Sequence, residues 1–173
     1  SDLEHYDKVM ENIYSVYQQN LLSVAFIEYL ENLSSNLNVK PKVIYDIGSC
    51  VQHFTRHAKR IWTDSTIICF DAFSYLKPLY EKTGVQFHNV LLYSDDYCKI
   101  KYYQQPFNLG GNSIYKENTP FYKNEDYVLK ETITLDALVK MKNLPYPDLI
   151  KIDIQGAELD VIRGATKCLE EAS

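Results

Sequence analysis

Val43-Ile44-Tyr45-Asp46-Ile47-Gly48-Ser49-Cys50, residues 43–50, decides the fold. Apart from Asp46, its first five residues are apolar and β-rich, with no alternation of polar and apolar faces. That composition predicts a short strand buried on both sides, as parallel sheets require. Gly48 then predicts a tight turn. Phe54, Ala58 and Ile61 return to helical spacing, and Thr66-Ile67-Ile68-Cys69-Phe70 is a second buried run, closed by Asp71. Strand, helix, strand in this order is the unit of a parallel α/β sheet.

The alternation continues outward in both directions. Leu76, Leu79 and Tyr80 predict a helix stopped by Gly84 in a left-handed cap, and residues 85–92 a third strand. Residues 98–103 and 127–134 read as strands of an antiparallel excursion, with a loop at 106–112 between them. Thr134 starts a short helix over 135–141. Pro145 and Pro147 precede a further core strand at 149–153, Gly156 makes the next turn, and Leu159, Val161, Ile162, Ala165 and Leu169 are the expected buried face of one closing helix. Before residue 40, apolar positions from Leu3 to Leu37 recur at steps of three and four, which predicts one or two amphipathic helices covering the sheet or a dimer surface. The expectation is an N-terminal helical segment, 1–39, and a ligand-binding domain, 40–173. The fold class is α/β: a Rossmann-like, mostly parallel sheet with helices on both faces.

Composition narrows the function. A formal charge of −5, from 18 basic and 23 acidic side chains, with no dense run of Lys or Arg, argues against a nucleic-acid partner. No apolar stretch approaches the roughly 20 residues of a membrane span, and the first residues lack a signal-peptide pattern, so a soluble protein of the cytoplasm is expected. Cys50, Cys69, Cys98 and Cys168 are widely spaced without a C-x-x-C pair, which favours reduced thiols. His53 and His57 have the spacing of two zinc ligands, but no third ligand is evident, so no metal is expected. Because the chain begins at Ser1 and not Met, its ends are expected to be those of an excised piece of a larger protein.

In doubly wound sheets the ligand lies beyond the carboxyl ends of the strands, where strand order reverses. The residues to watch are therefore Asp46, Gly48 and Ser49 after the first strand and Asp71 after the second. An acidic residue at the position of Asp71 can accept hydrogen bonds from ribose hydroxyls. Two adenosine ligands compete for such a site. A dinucleotide needs a G-x-G-x-x-G turn for its pyrophosphate, whereas the turn at 48–53 has one glycine. S-adenosylmethionine has no phosphate, and its sulfonium favours a nearby carboxylate such as Asp46. The sulfonium ligand is the better match; a nicotinamide-dependent oxidoreductase is the weaker one.

The segment Leu149-Ile150-Lys151-Ile152-Asp153-Ile154-Gln155-Gly156-Ala157-Glu158-Leu159 closely resembles the K-I-D-x-E-G-x-E signature of FkbM-type methyltransferases, and Gly164-Ala165 its G-A ending. Thr134-Leu135-Asp136 is similar to their T-L-D, Asp46-Ile47-Gly48 with Phe54-Thr55 to their first motif, Phe70-Asp71-Ala72 to F-E-P, and Ser94-Asp95 to the end of A-x-S-D. The resemblance runs from about Val43 to Ala165. It implies an S-adenosylmethionine-dependent O-methyltransferase acting on a hydroxyl of a small molecule, with a sugar or glycan as the acceptor. It also implies cofactor contacts at Asp46, Gly48, Ser49, Asp71, Ala72, Ser94, Asp95 and Asp153. Asp153 would face the methyl group, and Asp153 and Glu158 are the candidate bases.

The loop from Asn108 to Ser113 is a candidate cover for the acceptor, and Tyr93, Tyr97, Tyr102, Tyr103, Tyr122 and Tyr127 are candidates to stack on sugars. The family continues past the last helix with further core strands, which implies a domain truncated at its C-terminal end, an oligomer that pairs the exposed edge, or strands supplied from elsewhere. Cys50, Gln52, Asp71 and Gln155 depart from the family pattern. Gln52 and Gln155 above all motivate the alternative, a non-catalytic binding or assembly module.

Overall fold

The computed structural model describes residues 2–19, 21–116, 118–119 and 127–172, so Tyr122 lies outside the described residues. Two helices lead, α1 (Asp2–Gln18) and α2 (Val24–Ser35); Ser23 caps the second, its hydroxyl accepting from the Phe26 N–H at 3.2 Å. There follow β1 (Val43–Ile47), α3 (His53–Ile61), β2 (Thr66–Asp71), α4 (Lys77–Thr83), β3 (Gln86–Asn89) and β4 (Leu91–Leu92). The chain continues through β5 (Lys99–Tyr103), β6 (Tyr127–Ile133), α5 (Leu135–Lys142), β7 (Leu149–Ile152), α6 (Glu158–Arg163) and α7 (Thr166–Glu171).

The main sheet is parallel, in the order β3-β2-β1-β7. The chain lays β2 and β3 outward on one side of β1 and returns with β7 on the other. Strand order therefore reverses between β1 and β7, which is where such folds place a ligand. Ile47 is in register with both Phe70 and Ile152, so Gly48, Asp71 and Asp153 leave the sheet at the same end. Among the described residues no strand pairs with the far side of β7.

Side chains of β1 alternate between two cores. Ile44 packs with Ile67, Phe54, Ala58 and Leu79 beneath α1 to α4, and Tyr45 and Ile47 pack with Phe70, Leu138 and Val161 beneath α5 to α7. Val9, Met10 and Ile13 of α1 belong to the first core, so the N-terminal helices share their apolar interior with the sheet. Leu3 and Tyr6, the start of the expected stripe, are exposed.

Two expectations need correction. The run at 85–92 is not one strand: Val90 N–H still donates to Asp71 O, at 3.1 Å, but Leu91 and Leu92 turn away and pair in parallel with β6. With β5 antiparallel to β6, they form a second sheet, β4-β6-β5. Nor is the closing helix continuous. Gly164 lies so close to Tyr93 and Thr134 that an added Cβ would be 2.3 Å from the Tyr93 carbonyl oxygen, and the helix breaks there into α6 and α7. Val161, Ala165 and Cys168 are the buried face, while Leu159, Ile162 and Leu169 are exposed. Among the described residues no helix is long and apolar enough to cross a membrane.

Candidate active site

The turn after β1 is built on left-handed backbone at alternate positions, Gly48 at φ +73°, Cys50 at +45° and Gln52 at +67°. Only glycine fits the first: a Cβ there would sit 1.9 Å from Asp153 O. This contact holds the exits of β1 and β7 edge to edge. The amides of Gly48 and Ser49 both donate to Phe70 O, at 2.8 and 3.2 Å, that of Cys50 to Asp71 Oδ2, at 2.9 Å, and that of Gln52 to Ser49 O, at 2.9 Å. Three of these four amides thus tie the turn to the end of β2. Gln52 is buried and donates to Thr83 Oγ1 at 2.8 Å, and the Tyr80 hydroxyl lies 2.6 Å from Ser49 Oγ, so α4 braces the turn from below.

Asp71 accepts the Cys50 amide on one oxygen and the Phe73 amide, at 2.9 Å, on the other. Burial raises its carboxyl above the usual range, against the pull of these amides. A carboxylate has about four acceptor positions, which leaves some for a ligand in the cleft it lines. Asp46 is fully buried behind the turn: Oδ2 accepts from Thr55 Oγ1 at 2.7 Å, and Oδ1 lies 3.1 Å from Lys151 Nζ. Lys151 also donates to Gly48 O at 3.0 Å. Burial opposes its charge, but Asp46 and Asp153 outweigh burial and raise the Lys151 pKa.

Asp153 is exposed at the exit of β7, its amide donating to Ile47 O at 3.0 Å. Gln155, left-handed at φ +56°, places its Nε2 3.4 Å from Asp153 Oδ1. Glu158 turns back onto the backbone, its Oε1 accepting from Ile154 N–H at 3.0 Å and Gly156 N–H at 3.2 Å. Burial works to raise its pKa, yet these amides prevail and lower it. Its carboxylate holds the 154–157 turn and does not line the cleft.

The cleft has two arms meeting at Gly48, Cys50 and Asp153. The first runs past Asp71 and Ala72 to Leu91, Tyr102 and Ile114, and counted out to its open mouth it holds about 690 Å³. The second lies between the α1–α2 connection and the start of α3, lined by Phe26, Ser49, His53, Phe54, Phe107 and Lys151. Ser94 and Asp95 follow β4 and line neither arm; they are bonded to each other, Ser94 Oγ donating to Asp95 Oδ2 at 2.6 Å. Leu109 and Gly110 border both arms. Their segment folds over the cleft through a two-way backbone bridge between Tyr103 and Ser113, a bond from Ser113 Oγ to Gln155 O at 3.0 Å, and one from Tyr115 OH to Asp160 Oδ2 at 3.0 Å. The loop from Asn108 to Ser113 is therefore a wall of the site.

The structure brings Gly48, Asp71, Ala72 and Asp153 together around the first arm and Ser49 into the second; Asp46 sits behind, acting through Lys151. Sequence reasoning missed Lys151, although a charged residue inside an apolar core strand was itself the signal for a buried partner. Tyr102, one of the candidate sugar-stacking tyrosines, lines the first arm, and Ile114 carried no local signal. His53 Nε2 lies 2.9 Å from Val16 O, and among the described residues no group of three or more His, Cys, Asp or Glu is placed to hold a metal. The four thiols are unpaired.

Comparison with known proteins agrees with this geometry. Methyltransferase 1 of Beauveria bassiana (strain ARSEF 2860) is 30% identical over 145 residues, covering 70% of this chain and 57% of the relative. The hexuronic acid methyltransferase AglP of Haloferax volcanii is 30% identical over 69 residues, 40% of this chain and 27% of the relative. The chain thus spans about half the length of the first relative and about a quarter of the second. No solved structure gives a significant match. The family described as the Methyltransferase FkbM domain matches residues 29–172, and the chain belongs to that family.

Proposed function

We propose that this domain binds S-adenosylmethionine and methylates a hydroxyl of a small molecule, with a sugar or glycan as the acceptor class. The observation that carries the reading is the two-armed cleft at the strand-order reversal, with Asp71 in one arm and Asp153 where the arms meet. The turn supports a ligand without phosphates: the amides of Gly48, Ser49, Cys50 and Gln52 are already bonded and so are not available to a pyrophosphate.

Asp71 would take the ribose hydroxyls on its remaining acceptor positions. The adenine would lie in the apolar slot of Leu91, Tyr102 and Ile114, with Ser94 and Asp95 just past its end. Ala72 would border the ribose, and Gly48 and Ser49 the methionyl end, where Asp46 keeps Lys151 charged and in place. Asp153 would face the methyl group and orient the acceptor oxygen; Glu158 fixes the turn that positions it. When bound, S-adenosylmethionine supplies a methyl carbon activated by positive sulfur, so holding the acceptor oxygen in line provides much of the catalysis. The second arm offers Phe26, Phe54 and Phe107, flat apolar faces suited to the C–H side of a sugar ring. A relative named for hexuronic acid methylation supports the same class.

Calorimetric titration with S-adenosylmethionine, S-adenosylhomocysteine and NADH tests this. Binding of the first two at roughly micromolar Kd, lost in Asp71→Ala, is expected. Binding of NADH, or equal binding by the variant, would overturn it. Gln52 and Gln155, the grounds for a non-catalytic module, both accommodate the left-handed turns they occupy and bond within the site.

A further inference from the structure

We propose that His53 is the general base that accepts the proton of the acceptor hydroxyl. This rests on the methyltransferase reading above and adds a residue to it. His53 opens α3 directly after the β1 turn and lines the second arm, as do Gly48 and Asp153. Its orientation fixes its chemistry. A backbone carbonyl only accepts, so the 2.9 Å contact with Val16 O requires the proton on Nε2. In the neutral ring Nδ1 then carries the lone pair.

The surroundings keep the ring neutral. Burial lowers the His53 pKa, and Arg56 and His57 on the same helix add to this against the opposing carbonyls of Val16 in α1 and Gln19 just after it. From β7, Lys151 and Asp153, of opposite charge, line the same arm. The other carboxylates at the site are committed elsewhere. Glu158 holds two amides, Asp46 is buried against Lys151 and Thr55, and Asp71 lies in the other arm on two amides. Asp153 is left to orient the hydroxyl. An imidazole with a pKa near the working pH is a stronger base than an ordinary carboxylate.

In the step, the proton passes from the acceptor oxygen to Nδ1 and the oxygen pair forms the new bond to the methyl carbon. The carbon–sulfur pair stays on sulfur, and the imidazolium returns its proton to water.

His53→Gln separates this role from a structural one, because the Gln amide can still donate to Val16 O but cannot act as a base at neutral pH. Long-range ¹H–¹⁵N NMR of the ¹⁵N-histidine-labelled chain, with His53 assigned by the variant, reads the tautomer directly. A neutral ring protonated on Nε2 at pH 7.5 is expected; a proton on Nδ1, or an imidazolium at that pH, overturns the proposal whatever the acceptor. Methyl transfer from S-adenosylmethionine to D-glucuronate is followed alongside, with S-adenosylhomocysteine affinity measured in parallel. His53→Gln should keep that affinity within about twofold, lose roughly 10²–10⁴ in kcat, and lack the acid limb that the wild-type profile shows below pH 6.5. A kcat within about fivefold of wild type overturns the assignment. Failure of the wild-type chain to bind the donor or methylate the sugar instead counts against the function proposed above and leaves the NMR result to decide for His53.

Discussion

Replacing Gly48 by Ala should cost far more than the same change at Gly84, although the two residues have nearly the same backbone, φ +73° and +69°. A side chain in left-handed conformation costs about 1–2 kcal/mol at either site. At Gly84 nothing lies within 4 Å of the added Cβ, so that strain is the whole effect. At Gly48 the Cβ falls 1.9 Å from Asp153 O and 2.8 Å from both Asp153 C and Ile154 Cγ2. Two of these atoms are backbone, so the exit of β7 must move by more than about 1 Å, and overpacking of this kind adds about 1–3 kcal/mol. The expected losses are about 2–5 kcal/mol for Gly48→Ala and about 1–2 kcal/mol for Gly84→Ala. Urea unfolding followed by the fluorescence of Trp62, the single, buried tryptophan, measures both. Equal losses in the two variants would refute the view that β1 and β7 are held in contact through Gly48. The displaced Asp153 should also weaken S-adenosylhomocysteine binding in Gly48→Ala and leave it unchanged in Gly84→Ala.

Lys151→Met leaves the fully buried Asp46 carboxylate without its cation and should destabilise the fold by about 3–5 kcal/mol in urea, with much of the loss recovered in Asp46→Leu/Lys151→Met. Since the Lys151 pKa is raised in the folded state, its contribution is complete below the ordinary lysine value of 10.5 and should disappear as pH rises through the folded value, which an alkaline unfolding titration reads. Glu158→Ala should cost about 0.5–1 kcal/mol at pH 7, at the low end for a capping side chain because the carboxylate is partly solvated. Its pKa is lowered on folding, so the difference from wild type should be full above pH 4.5 and vanish as pH falls through the folded value. Tyr115→Phe removes the hydroxyl bonded to Asp160, and hydrogen exchange at residues 113–116 should speed up while that of β1 stays unchanged; identical exchange at 113–116 would show that this bond does not hold the segment down.

The core strands were legible because burial on both faces leaves a continuous apolar run, and β1, β2 and β7 fall where those runs predict. The same property hid the break at Val90. A run buried throughout carries no mark of which sheet buries it, and Leu91 changes partner from β2 to β6 without changing character. The closing helix was misread because Leu159, Ile162 and Leu169 keep helical spacing although exposed, and Gly164 breaks the helix through a contact with Tyr93 and Thr134 that is remote in sequence. Of the candidate site, Gly48, Asp71 and Asp153 could be read because each directly follows a core strand. The pairing of Asp46 with Lys151 spans more than a hundred residues, to which local pattern is blind; the loop at 108–113 was legible as a cover, but not the bonds of Ser113 and Tyr115 that hold it, nor the turning of Glu158 onto two nearby amides.

The return of β7 to the side of β1 has a consequence for biosynthesis. Gly48 and Asp71 are made early, but Asp153, which closes the site against them, comes about a hundred residues after the first strand. During translation the growing chain can pair β1, β2 and β3 while the unpaired edge of β1 waits for its second neighbour. A partner strand this distant is slow to find, since a long loop must close before any contact rewards it. The ribosome-bound chain should therefore acquire three of the four strands of its main sheet well before it can hold a ligand, and competence for binding should arrive in a single late step when β7 emerges and docks.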